Sequence, residues 1–321
     1  MSRRVPLPVV LAVLGALLAL TAGVSLAFGS AEQPSAEIIL QIRLPRVLLG
    51  ALVGAGLGTA GALLQALLQN PLADPFVLGI SGGAALGGVA ALALGGALGA
   101  ASLSVPLCAF LGALAATGLL YAIAGGSGRA PAHTLLLTGV IFNAFASSLI
   151  VFVTSAVDLS RVAGLFLWLI GSVRLVDPWM IGGVALLLAT GVAVGLRDAY
   201  ALNLLSQGDE SASQLGVDVP RVRRRVLVAT ALVIGAAVAV SGLIGFVGLI
   251  VPHLVRLTVG PDHRTLVPAS ALLGASFVML ADTLARTLLA PNELPVGAFT
   301  SLIGGPLFLW LLRRELRGLL A

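Results

Sequence analysis

About ten apolar runs, each near the roughly 20 residues that cross a bilayer as a helix, fill this chain, and one long polar stretch at 197–225 interrupts them. With 59% hydrophobic and 10% charged residues, such a pattern is favourable in lipid rather than around an aqueous core. The interruption reads RDAYALNLLSQGDESASQLGVDVPRVRRR. Connections inside compact helical bundles are usually a few residues long, so a stretch of this length can do more than join two spans. Its centre, 206–219, alternates small, acidic and apolar residues as a short amphipathic helix does, with Leu215 and Val219 on one face. Its tail gathers Arg221, Arg223, Arg224 and Arg225, which places it in the cytoplasm by the positive-inside rule. Two readings stand for it: a solvated loop, or a docking segment for an aqueous partner.

Several function classes fall away on residue content. All 18 basic residues are arginine, so no lysine exists to reach the phosphates in a GxxxxGK[ST] loop, and ATP hydrolysis by this chain is not expected. The single Cys108 sits in an apolar run and excludes an intrachain disulfide or a multi-cysteine metal site. His133, His253 and His263 lack HExxH spacing, so no zinc hydrolase, no metal site and no catalytic residue are expected. The arginines collect at the ends of apolar runs, which is a topology signal and not a nucleic-acid footprint.

The expected spans follow in order. The first, 5–28, begins after Arg3 and Arg4 and is longer than a signal-peptide core, so it reads as retained with its N-terminus inside. A polar link at 29–41 leads to RLPR at 43–46, where Arg43 and Arg46 either snorkel to headgroups or face a partner. The second span, 47–69, carries Gly50, Gly54 and Gly58 at a spacing that admits a close helix neighbour. Two prolines stiffen a cytoplasmic turn at 70–75. Spans at 77–98 and 103–124, an inner turn at 125–133 and a fifth span at 134–155 come next. Asn143, Ser147 and Thr154 share one stripe of that fifth span, facing either a water-filled path or a neighbouring helix.

Residues 157–178 read as an outer or re-entrant segment, and 179–196 as the sixth span. After the polar stretch come spans at 226–243, 244–259, 267–289 and 296–312. Asp282 and Arg286 lie one turn apart on the ninth and can form a local pair. On this topology Arg43, Arg46, Arg161, Arg174 and Arg286 are outside and the other arginines inside, which puts both termini in the cytoplasm. The expected fold is therefore all-α and polytopic: one transmembrane domain over 1–321 with a cytoplasmic loop at about 198–225.

Five ordered stretches carry a resemblance: RLPR at 43–46, GALLQALLQNPLADPFVLGISGGAALG at 61–87, LSQGDESASQLGV at 205–217, GLIGFVGLIVPHLVRL at 242–257 and LADTLARTLLAPNELPVG at 280–297. Together they resemble the FecCD family, permease subunits of binding-protein-dependent ABC importers for ferric siderophores, haem and vitamin B12. The resemblance implies a ten-helix type II importer permease in the bacterial inner membrane that forms a homodimer around a central path. A dimer of ATP-binding subunits sits below it and a periplasmic or lipid-anchored binding protein above. ATP and Mg belong to the ATPase partner, and this chain carries no cofactor.

The same resemblance assigns residues. Arg43, Arg46 and Arg286 meet acidic groups on the binding protein; Asn70 and Leu72 contribute to the cytoplasmic gate. Ser211, Ser213, Gln214, Leu215, Gly216, Val217 and Asp218 lie on the ATPase as a coupling segment; Asn143 and Ser147 are path-facing candidates from the polar stripe of the fifth span and not from the resemblance. The turn before the fifth span departs from the pattern, reading Ala132-His133 where the B12 permease of the family has small hydroxylated residues. Cargo selection rests with another chain; an iron chelate is favoured over haem and cobalamin because that branch of the family is the broadest. The rival reading is an ion-coupled secondary transporter, which usually places ionisable residues near the bilayer midplane; in this sequence Asp282 and Arg286 lie towards the outer end of the expected ninth span, and His253 and Arg256 towards the inner end of the eighth. An intramembrane enzyme lacks a nucleophile or metal constellation.

Overall fold

Helix follows helix through the computed structural model, which describes residues 6–29, 35–76, 78–98, 101–123, 132–156 and 159–320. In order, they are α1 (Leu7–Ala27), α2 (Ala36–Ile38), a π-helical turn (Ile39–Arg43), α3 (Leu44–Leu67), α4 (Ile80–Leu98), α5 (Ala101–Ile123), α6 (Ala132–Ser155) and α7 (Leu159–Leu169). The second half contains α8 (Pro178–Arg197), α9 (Ala199–Leu205), α10 (Asp209–Gln214), α11 (Val219–Ser241), α12 (Val247–Val259), α13 (His263–Thr287) and α14 (Val296–Leu320). Seven helical stretches are long and apolar enough to cross a membrane, and three shorter apolar helices accompany them among the described residues. Most of the inner turn expected at 125–133, with Arg129, lies outside the described residues, as do Arg3 and Arg4.

Several expected boundaries move. The link at 29–41 is helical from residue 36, because α2, the π turn and α3 run on as one 32-residue helix. Pro45 explains the π turn: its ring would collide with the carbonyl four residues back, and the wider turn, closed by Leu44 N–H on Ile39 O, removes the collision. The seventh span starts earlier than expected, so Arg221, Arg223, Arg224 and Arg225 stand on the first turns of α11 instead of in a loop.

The core is organised around α3, which is buried along most of its length and packs on α8, α11, α12 and α13. Small residues permit this. A methyl group on Gly54 would lie 2.1 Å from the carbonyl oxygen of Gly274, and one on Gly58 would lie 2.4 Å from that of Ser270. The backbones of α3 and α13 thus touch where the glycine spacing predicts, whereas Gly50 has ordinary room. On the periphery, α1 and α6 leave long apolar faces open, including Ile141, Phe145 and Phe152 on α6. Lipid or another apolar surface suits such faces.

Candidate functional site

The last carbonyls of α1 have no partners within their own helix and carry the negative end of its dipole, so they attract cations. Arg43 Nη1 donates to the carbonyls of Leu26 and Ala27, each at 2.8 Å. Arg286 Nη2 donates to the carbonyl of Ser25 and, at 3.3 Å, to Thr283 Oγ1. Arg46 presents its fork to Asp282, with Nε at 3.0 Å and Nη2 at 2.9 Å, and places Nη1 3.0 Å from Glu293. The pair expected between Asp282 and Arg286 is longer, at 3.6 Å.

This corrects the picture of an exposed basic surface. Arg43 and Arg286 are 3% and 4% exposed and hold α1 against α3 and α13; of the three, Arg46 comes closest to the surface, together with the more exposed Glu293. The missed signal was the end of α1, which supplies acceptors that sequence spacing does not show.

At the opposite end of α3 the chain turns through two Asx turns in succession. Asn70 Oδ1 accepts from Leu72 N–H at 2.9 Å, and Asp74 Oδ1 accepts from Phe76 N–H at 2.7 Å. Each Asx precedes a proline whose fixed φ suits the turn, so the sequence NPLADP encodes the geometry directly. The loop does not remain at the bundle end, as a simple return would. Pro75 packs against Gly248, close to the carbonyl of Leu57 near the middle of α3, so the segment folds back into the bundle before α4 begins.

Asp74 and Phe76 there line a cleft of about 630 Å³ with Leu169, Ile170, Phe246, Gly297 and Ser301. Phe246 holds φ 67, a left-handed conformation that a bulky residue rarely adopts, at the start of α12. Asn143 Nδ2 donates to the carbonyl of Phe76 and so ties α6 to this loop, while Ser147 lies on the exposed face of α6. Neither side chain lines the cleft itself. Its carboxylate, from Asp74, was not anticipated, since the turn signal says nothing about depth. Of the departure at Ala132-His133, His133 is exposed, and the Ala132 side chain lies outside the described ones.

The polar stretch is folded and strapped to the helices. Asp198 pairs with Arg225 at 2.7 Å, and Asp209 pairs with the buried Arg223 at 2.7 Å. Asn203 donates to Asp262 at 2.8 Å and accepts from His263 N–H at 2.9 Å, joining α9 to α13. Burial raises the Asp262 carboxyl, but bonds from Asn203 and the Arg264 N–H outweigh it and leave its pKa below the ordinary value.

Gly216, at φ 84, ends α10 with Val217 N–H on Ala212 O and Gly216 N–H on Ser213 O, a Schellman closure of the kind glycine favours. Ser211, Ser213, Gln214, Leu215, Gly216 and Asp218 are exposed, and Val217 is half-buried. The expected apolar face shared by Leu215 and Val219 is corrected: Val219 packs into the chain's own core, and Leu215, 61% exposed, stands alone as the large apolar side chain of the 206–219 surface. The positive cluster is also partly neutralised, because Arg221, Arg223 and Arg225 each pair with an aspartate.

A model of the FecCD transport family matches residues 4–314. The chain belongs to the FecCD transport family. A hemin transport system permease protein, HmuU, of Yersinia pestis is 45% identical over 87% of this chain and 84% of its own length. A cobalamin import system permease protein, BtuC, of Halobacterium salinarum is 46% identical over 92% of this chain and 78% of its own. A solved chain of a metal-chelate type ABC transporter in an inward-facing conformation superposes with a TM-score of 0.87 at 32% identity, covering 96% of this chain and 99% of that one. This FecCD chain is thus a multi-pass membrane permease subunit of an ABC importer, which acts with ATPase and substrate-binding partners. The ion-coupled alternative gives way to that membership.

Proposed function

We propose that two copies of this permease form the path by which an ATP-driven importer admits a bulky metal chelate across a bacterial inner membrane, with both termini in the cytoplasm. An iron chelate, haem or cobalamin fits this class, and the hemin and cobalamin permeases among its relatives support it. The observation that carries the reading is the ordered 198–225 stretch, held to α11 by ion pairs and to the start of α13 by the hydrogen bonds of Asn203, yet offering Leu215 to solvent. Ser211, Ser213, Gln214, Leu215, Gly216, Val217 and Asp218 then contact the ATP-binding subunit, which holds ATP and Mg; this chain, without a lysine-bearing phosphate loop, holds no cofactor.

The cleft beside Asp74 and Phe246 contributes to the path together with Asn143 and Ser147, and Asn70 and Leu72 to its cytoplasmic gate. At the other end, Arg46 and Glu293 meet the binding protein, while Arg43 and Arg286 shape that surface from beneath. The open face of α6 suits lipid or the second copy.

In proteoliposomes, uptake of hemin, cyanocobalamin or ferric citrate is expected to require both internal ATP and an added binding protein, with one cargo preferred. Uptake driven by an ion gradient without ATP would overturn the proposal.

A further inference from the structure

Across 140 positions of sequence, Gln69 Nε2 donates to Asp209 Oδ1 at 2.7 Å. Asp209 is the first residue of α10, and its carboxylate also accepts from Arg223 Nη2 at 2.9 and 2.7 Å. Arg223 is 1% exposed on α11, so it gives the carboxylate a fixed anchor. On the other side, Gln69 directly precedes Asn70, where the first Asx turn of the 70–76 loop begins.

The backbone of Gln69 supplies an independent observation. Asn70 N–H bonds to Gln65 O at 3.1 Å and Gln69 N–H to Ala66 O at 3.2 Å, so α3 ends in a Schellman closure with Gln69 in its left-handed position at φ 50. Where a helix ends this way glycine usually fills the position, because a side chain there is strained by about 1 kcal/mol. A glutamine persists under that strain when its side chain has work to do, and the work visible here is the bond to Asp209.

We infer that Gln69 is a positioning residue for the gate: the Gln69–Asp209 bond is the link by which displacement of α10 shifts the 70–76 loop. Hydrogen bonds to a charged group are the stronger kind, and a contact at the first residue of the loop transmits movement without a flexible spacer. This inference rests on the proposed contact between 211–218 and an ATP-binding subunit.

The test uses the full-length permease co-purified with its ATP-binding subunit, comparing hydrogen exchange at the amides of Leu72, Ala73, Asp74 and Phe76 with and without ATP plus vanadate. The wild type is expected to show a nucleotide-dependent change in exchange there. Gln69→Gly removes the side chain and relieves the left-handed strain, so folding, co-purification and ATP hydrolysis should persist. The nucleotide-dependent change should shrink about three- to fivefold, because the bond is exposed and water screens it. Gln69→Lys still offers a donor to Asp209 and leaves the Asp209–Arg223 pair intact, so it should keep the change, whereas Gln69→Glu, of the same shape but without a donor, should lose it; a residue of merely structural importance would not sort the variants this way. A full nucleotide response in Gln69→Gly or Gln69→Glu, a lost response in Gln69→Lys, or no response in the wild type would each overturn the link. Failure of the ATP-binding subunit to co-purify with the wild type would instead overturn the docking reading, and the link with it.

Discussion

Asp282→Ala is expected to destabilise the permease by about 3 to 5 kcal/mol, the range for breaking one side of a buried ion pair. The carboxylate is 4% exposed and stands between two guanidiniums, accepting from both Nε and Nη2 of Arg46 and lying 3.6 Å from Arg286. Removing it leaves two cations close together, one of them 4% exposed and the other 15%, with no counter-ion between them. Asp282→Asn keeps the shape and one acceptor, so its effect should be smaller. Glu293→Gln also removes a partner of Arg46, but from a carboxylate 42% exposed, where water screens the charge and losses stay within about 1 kcal/mol. The measurement is the thermal aggregation midpoint of purified protein at one fixed heating rate, because unfolding of such proteins is commonly irreversible. Equal shifts for Asp282→Ala and Glu293→Gln would show that the cluster is as well solvated as an exposed pair.

That cluster also shows where sequence reasoning reached its limit. A glutamate, an aspartate and three arginines at one end of the bundle were legible as charge, and their type suggested a docking surface. Their partners were not legible, because the carbonyls that Arg43 and Arg286 occupy belong to the end of α1, and no side-chain pattern marks a backbone acceptor. The converse holds for features whose cause is local. Gly216 ends α10 because glycine alone is unstrained there, and Gly54 meets Gly274 because no Cβ intervenes. The NPLADP turn lies between: its Asx turns follow from local chemistry, but its return to the level of Leu57 depends on Gly248 of α12 making room. Val219 illustrates the same division. Periodicity placed it on an apolar face, yet it could not tell whether that face met the chain's own core or a partner.

Leu215→Asp tests that distinction where it matters most for function. Leu215 follows the last turn of α10 and is 61% exposed, whereas Ala212 beneath it is fully buried and Val219 is packed inside. An isolated large apolar residue at the tip of a strapped, otherwise polar segment has the form of an interface anchor with a polar rim. A carboxylate inserted into the apolar contact it makes would be desolvated without a partner, which costs several kcal/mol and corresponds to a loss of at least about a hundredfold in affinity. The chain itself should fold normally, since the side chain contributes little to its own core. Leu215→Met should retain assembly, because it preserves apolar volume. Co-purification with the ATP-binding subunit and ATP-dependent uptake are the readouts, alongside the thermal midpoint of the isolated permease. Lost assembly at an unchanged midpoint is the expected result; normal assembly and transport in Leu215→Asp would reduce the 198–225 stretch to a connector.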